Sequence, residues 1–558
     1  MTKHHYSPCV HITFLHHKTV TCYGLCVIAV FLIAASSAVA DTGSLGYRSN
    51  PSLLARSTIS SYEMAEESIS LSTSFDLRDV DGNNYVTSVK NQGDCGSCWT
   101  FATFGAMESE LLTAGGASSD FSENNLKNRH GFDWGPCDGG NDSISIAYLS
   151  RLAGPGNEAD DPYNDYDDTA TAPTTITRQR FLRDASVYDT TTEMKTALMS
   201  TGALYVNMAW SDLSYRSSDS TYYYPGGPYD GGHAVTLVGW NDNKDTAARS
   251  NGAWLCKNSW GTDWGDDGYF WISYADAAAC SYGRSFETEA ADTVSGVYYH
   301  DEFGEVSMYN APYACNVFET GNEAESLKSV GFYTEEDDVG YEIRIYGEWD
   351  SDEPSELLAT QTGTIDQWGY HVVDLDEVID LAANDEFAVY VYLDDGYYYS
   401  ADGRTYTTYY HAVDFAYDDY SSASTASEGE SFYSSDGETW IDLTTVEDTA
   451  NFCIKAFTID MTASIPGDAT GDGVVDEDDA AILADNWGEQ LVGGASIGDF
   501  NDDGYVNALD ASILAANWNA GAESQTTTSV PEPGAIVLLA GLLLLVQQRR
   551  RDNSRLLC

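Results

Sequence analysis

The stretch NQGDCGSCWTF, residues 91–101, places two cysteines three apart and a tryptophan at the head of an apolar run. Three chemistries use that spacing: a redox pair, half of a zinc site, or a nucleophile beside a structural disulfide. The run that follows, WTFATFGAMESELLTAGG (99–116), repeats apolar residues at helical spacing and stops at Gly115-Gly116. It predicts a helix starting at Cys98. A zinc site needs a second ligand pair at similar spacing, which Cys137 and the distant histidines do not supply. A nucleophile needs a histidine base and an orienting group. His233 opens the strand-like GGHAVTLVGW (231–240), and Asn258 sits in WLCKNSWGTDWGDDGYFWI (254–272).

Taken together, QGDCGSCWTFA, CDGG (137–140), GHAVTLVGW and KNSWGTDWGDDGYF (257–270) resemble the papain family of cysteine peptidases over roughly residues 73–290. The resemblance implies a two-lobed α+β domain and four active-site roles. Cys98 is the nucleophile, at a helix N-terminus whose dipole, with a neighbouring imidazolium, lowers a thiol pKa to about 3.5–7.5. His233 is the base, which then protonates the leaving amine. Asn258 orients the ring, and Gln92 joins the Cys98 backbone N–H in the oxyanion hole. Trp260 matches the tryptophan that shields the His–Asn hydrogen bond. The same resemblance pairs Cys95 with Cys137. Papain-like zymogens usually carry a long helical pro-region. Here residues 41–72 form only a short pro-segment or linker without that pattern, so inhibition by a full-length propeptide is not expected.

Composition bounds the rest. The 558 residues carry 26 Lys plus Arg against 88 Asp plus Glu, a formal charge of −62. Such a chain repels nucleic acid and anionic membrane. An aromatic content of 13% argues for folded, β-rich structure rather than disorder. LCVIAVFLIAA (25–35), followed by Ala38-Val39-Ala40, reads as a signal peptide over 1–40, with an uncleaved anchor as the alternative. Residues 531–558 contain Pro531-Glu532-Pro533, an apolar run from Ala535 to Val546, then Arg549-Arg550-Arg551. This resembles the PEP-CTERM sorting signal of bacterial envelope proteins and implies an exosortase partner; a plain tail anchor is the alternative. Both ends point to export and a surface location with transient membrane attachment.

Of the 11 cysteines, Cys95, Cys98, Cys137, Cys256, Cys280, Cys315 and Cys453 lie outside the two terminal signals. Cys315 and Cys453, near the two ends of the region 291–461, are candidates for a disulfide. Cys256 and Cys280 are left as a pair or as free thiols. That region alternates in short runs such as YEIRIYGEW (341–349) and EFAVYVYLDD (386–395). It predicts an all-β sandwich, and its place after a papain-like domain resembles the lectin-like domain of some bacterial peptidases. A glycan is the implied ligand.

Residues 462–520 hold a repeat: GDATGDGVVDEDDAAILADNW (467–487) recurs as GDFNDDGYVNALDASILAANW (498–518). Oxygen donors alternate, glycine stands sixth and an acid twelfth, which is calcium-loop spacing. The first loop offers Asp468, Thr470, Asp472, Asp476 and Asp479 with the Val474 carbonyl. The second offers Asp499, Asn501, Asp503, Asn507 and Asp510 with the Tyr505 carbonyl. The duplication resembles a type I dockerin, a small helical module, and implies two calcium ions and a cohesin-type partner. Residues 521–530 read as a linker. The whole predicts an exported cysteine endopeptidase acting on protein or peptide with no cofactor required for catalysis. The alternatives are a silent adhesion or scaffolding protein and a transpeptidase.

Overall fold

The computed structural model describes residues 45–49 and 71–518, except 351–352, 395–396, 402–403, 461–465, 471–473, 489–496 and 502–503. The expected signal peptide and sorting segment therefore lie outside the described residues.

The helix Cys98–Thr113 starts where the sequence places it. It has no polar face: Trp99, Phe101, Ala102, Phe104, Ala106, Met107 and Leu111 are all buried. Such a helix is enclosed by other elements rather than lying on a surface. Two short helices pack beside it, Glu123–Arg129 and Asp142–Ser150. Ser122 caps the first by accepting from the Asn125 N–H, and Asn141 caps the second by accepting from Ile144. The second lobe is an antiparallel sheet of Leu204–Trp210, Gly231–Asn241, Ala253–Lys257 and Tyr269–Ser273 around Trp210, Tyr222, Trp240, Trp254 and Phe270. The lobes meet at Gly105, where a Cβ would lie 2.5 Å from Thr236 Oγ1. Only glycine lets the helix lie this close to the strand that carries His233.

Among the described residues, strands of 291–461 fall into four sheets, two of which stack as a sandwich. One includes Glu325–Thr334, Gly369–Leu381 and Lys455–Asp460; the other includes Tyr313–Glu319, Val339–Asp350, Glu353–Ile365, Glu386–Leu393 and Ser431–Ser434. Their inner faces share one core, with Phe318, Leu327, Val330, Phe332, Ile343 and Val389. The first sheet continues into the preceding domain, because Gly369, Tyr370 and His371 pair with Ser186, Ala185 and Asp184. Gly369 has a φ of +139°, and a Cβ there would meet the Ala185 carbonyl oxygen at 2.3 Å.

Cys315 and Cys453 do not form the disulfide expected of them. Both are buried free thiols, and they face different cores. Cys315 packs with Tyr390, Phe432 and Trp440, whereas Cys453 packs with Phe303, Tyr333 and Phe457. Proximity in the sheet's sequence ends did not become proximity of sulfurs. Cys256 and Cys280 are also free thiols, with side chains in contact.

The two repeat copies form the helices Glu477–Asp485 and Ala508–Ala516, each opened by a capping box, and enclose Val475, Leu483, Val506 and Leu514.

Candidate active site

Three elements bring the expected residues together. Cys98 begins the helix Cys98–Thr113, His233 is the third residue of the strand Gly231–Asn241, and Asn258 follows the strand Ala253–Lys257. Asn258 Oδ1 accepts from the Ser259 backbone N–H at 2.8 Å and lies 2.8 Å from His233 Nε2. An oxygen that already takes one N–H makes Nε2 the donor. The neutral ring then keeps its lone pair on Nδ1, the nitrogen a base must offer. The Trp260 ring stacks on His233 with centroids 4.7 Å apart, and Trp210 meets Trp260 edge-on at 4.7 Å. The imidazole is thus clamped from one side and tethered from the other.

The thiol is bound by main chain. The Ala234 N–H donates to Cys98 Sγ at 3.4 Å. Gln92 is held through its carbonyl, which accepts from Ser259 Oγ at 2.6 Å, leaving Nε2 to donate to the Cys95 carbonyl at 2.8 Å. The Cys95–Cys137 disulfide ties this loop to CDGG.

Sequence reasoning missed what fills the cleft. Residues 45–49 run through it as an extended strap. Tyr47 N–H donates to the Gly232 carbonyl at 3.1 Å, Arg48 N–H to the Gly140 carbonyl at 3.0 Å, and Gly140 N–H to the Gly46 carbonyl at 2.8 Å. The strap is antiparallel to Gly232 and parallel to Gly140. The Leu45 carbonyl takes a long 3.5 Å hydrogen bond from Gln92 Nε2. It also neighbours His233, whose Nδ1 makes no well-aligned hydrogen bond. The Tyr47 hydroxyl reaches Tyr282, beside the buried pair of Asp142 and Arg284, which meet at 2.7 Å. Nothing in LGYRS marks it as a cleft ligand. It has neither the helical pattern of a pro-region nor a run of apolar anchors.

The strap changes the electrostatics. Cys98 and His233 are both fully buried. Desolvation pushes the Cys98 thiol up to about 12, against the backbone N–H groups of Ala234, Trp99 and Cys98 that favour the thiolate. Desolvation also pulls His233 down to about 4, against the hydrogen bond that its Nε2 donates to Asn258. The lowered thiol pKa expected from the helix terminus is therefore absent in this closed form. A buried thiol next to a neutral ring has nothing to pay for a charge.

Comparison with known proteins agrees with the geometry. Residues 71–289 match the model of the papain family cysteine protease. They form a papain-family cysteine protease domain. Residues 297–458 match the lectin-like domain model. Cysteine proteinase 3 of Entamoeba histolytica is 33% identical to the papain-family domain over 217 residues, 37% of this chain and 65% of that protein. Viral cathepsin of Spodoptera litura multicapsid nucleopolyhedrovirus is 36% identical over 201 residues, 35% of this chain and 56% of the cathepsin. The chain thus spans less than two thirds of the length of each. The crystal structure of the cysteine protease and lectin-like domains of Cwp84, a surface layer associated protein of Clostridium difficile, aligns with 71% of this chain and 91% of its own. The identity is 26% and the TM-score 0.60, so the order of the two domains is shared.

Among the described residues no group of three or more His, Cys, Asp or Glu converges as a metal site. Asp472 and Asp503 lie outside the described residues. Asp479 and Asp510 turn their carboxylates back into their own loops: Asp479 accepts from the Ala469 and Thr470 N–H groups, and Asp510 from those of Phe500 and Asn501. The Gly504 N–H donates to Asp499 at 2.8 Å. Asp476 and Asn507 cap the helices that follow.

Proposed function

We propose that this chain is a cysteine endopeptidase held latent by residues 45–49. The observation that carries the reading is the His233–Asn258 hydrogen bond of 2.8 Å in a cleft where Cys98 opens a buried helix. Once the strap leaves, water and substrate replace its apolar cover. The thiol proton passes to His233 Nδ1, and the thiolate attacks a peptide carbonyl carbon. The developing oxyanion is met by Gln92 Nε2 and the Cys98 N–H. His233 then gives its proton to the departing amine, leaving a Cys98 thioester that water hydrolyses. Asn258 and Trp260 position the ring throughout.

Labelling tests this directly. The full chain, cut ahead of residue 72, is treated with an epoxysuccinyl thiol-protease inhibitor. The expected adduct is on Cys98 alone, lost together with casein hydrolysis in C98A. A cut chain that stays unlabelled while folded overturns the reading.

The accessory parts extend the proposal. Export to the cell surface rests on the terminal segments read from sequence; among the described residues no helix is long and apolar enough to cross a membrane. The repeat at 462–520 acts as a dockerin, offering a cohesin-type partner a calcium-stiffened face. Its oxygen-only donors suit calcium, and calcium would supply loop rigidity rather than chemistry. A rise in melting temperature with calcium, reversed by chelator, is expected. The lectin-like domain offers a glycan site, and the C-terminal segment an exosortase substrate.

A further inference from the structure

Arg48 of the strap occupies a seat built by two domains. Its guanidinium carbon lies 4.0 Å from the centre of the Trp134 ring, and its Nη2 lies 3.7 Å from Asp419 Oδ2. Trp134 belongs to the papain-family domain and Asp419 to the lectin-like domain. They are locked to each other: Trp134 Nε1 donates to the Asp419 carbonyl at 2.6 Å, and the Asp133 N–H donates to the Tyr420 carbonyl at 2.9 Å. Ser422 donates to Asp133 through both its N–H and its hydroxyl. Tyr420 is buried between Phe132 and Trp134, with ring centroids 4.8 and 4.9 Å away. The lectin-like loop is thereby a wall of the cleft.

The acid is poised rather than absorbed. The Asp419 side chain is 84% exposed. Its backbone holds a φ of +64°, a conformation few non-glycine residues adopt. The peptide that reaches it does so as an extended strand on the Gly140 edge, and Gly139 leaves the space: a Cβ there would meet Arg48 Cγ at 2.8 Å. A flat indole face and a carboxylate converging on one side chain select a cation.

We propose that the lectin-like domain completes the peptidase cleft, Asp419 and Trp134 forming a subsite for an arginine or lysine side chain of the peptide substrate. The strap borrows this subsite in the latent form. The proposal rests on the peptidase reading above and adds a substrate class to it: peptides with a basic residue beside the one that takes the Tyr47 position.

The test uses the full chain cut ahead of residue 72, with a positional-scanning library of fluorogenic peptides. At one position, kcat/KM for Arg exceeds that for Gln by roughly three- to tenfold, the scale of an exposed ion pair plus a cation–π contact. In D419N the Arg-over-Gln ratio falls to about one; asparagine accepts the left-handed backbone, so the loop keeps its shape. A second measurement needs no turnover. A peptide spanning residues 43–50 is titrated onto the cut C98A chain, and R48Q weakens it by the same factor with Asp419 present but not in D419N. No basic preference at any position, or a preference that survives D419N, overturns the proposal. Loss of all turnover with the Arg48–Asp419 coupling intact would instead sink the peptidase reading alone.

Discussion

Acid should open the strap, and His233 sets the size of the effect. In the closed form burial pulls this ring down to about 4; once solvated it returns to about 6.5. A group whose closed-state pKa is depressed takes up its proton preferentially in the open state, so acidification favours opening through the window from 6.5 down to 4. Between pH 7 and pH 5 the open state gains about 1.8 kcal/mol from this ring, about a twentyfold shift in the opening equilibrium. Cys98 opposes it, because a thiol raised to about 12 in the closed form and lowered in the open one releases a proton on opening; the ring's own contribution is therefore read without that thiol. The assay is amide hydrogen exchange in a C98A full chain, which cannot process itself. The reporters are the Tyr47 and Arg48 amides, which donate to Gly232 and Gly140. After correction for intrinsic exchange, their protection should fall about twentyfold from pH 7 to pH 5. Adding H233Q should flatten the response. Protection that holds constant between pH 7 and 5, or that falls equally in H233Q, would refute the assignment of this linkage to His233.

Three further outcomes follow from named contacts. N258A removes the 2.8 Å tether of His233; losing a hydrogen bond to a group that becomes charged should lower kcat about 10- to 100-fold with KM little changed, read by steady-state kinetics. D142N leaves Arg284 buried without its carboxylate; a cost of about 3–5 kcal/mol should appear in denaturant unfolding, with Tyr47 loosened in the cleft. Replacing Cys95 and Cys137 by alanine frees a crosslink across a sequence separation of 42, which the loop-entropy relation puts at about 4 kcal/mol of stability, measurable by calorimetry.

Much of the active site was written in short motifs because its roles are chemically narrow. A thiol at a helix start, a histidine on a strand and an asparagine before SWG each demand one residue type at one local geometry. So the helix at Cys98, the strand at His233 and the Cys95–Cys137 bridge are all legible in sequence and present in the structure. Local patterns carry no information about what crosses between distant segments. The buried Asp142–Arg284 pair joins residues 142 positions apart, and neither residue stands in a motif. The pairing of Cys315 with Cys453 was inferred from their places in the chain, and failed because Cys315 on the strand Tyr313–Glu319 packs into one core while Cys453, between the strands Asn451–Phe452 and Lys455–Asp460, packs into another.

The sequence by itself determined which side chains are on offer: a cysteine, a histidine, an asparagine and a glutamine in short motifs, followed by an alternating β region. The tertiary structure alone decided its present state. Backbone hydrogen bonds draw residues 45–49 into the cleft, where any extended segment with the right shape can pair with Gly140 and Gly232. Burial then reverses the pKa values that the helix terminus and ring would otherwise set. Likewise, Asp419 becomes part of a cleft more than 280 residues away only because Trp134 and Tyr420 lock two domains together. Desolvation and long-range packing depend on what surrounds a side chain in space, which its neighbours in sequence do not specify.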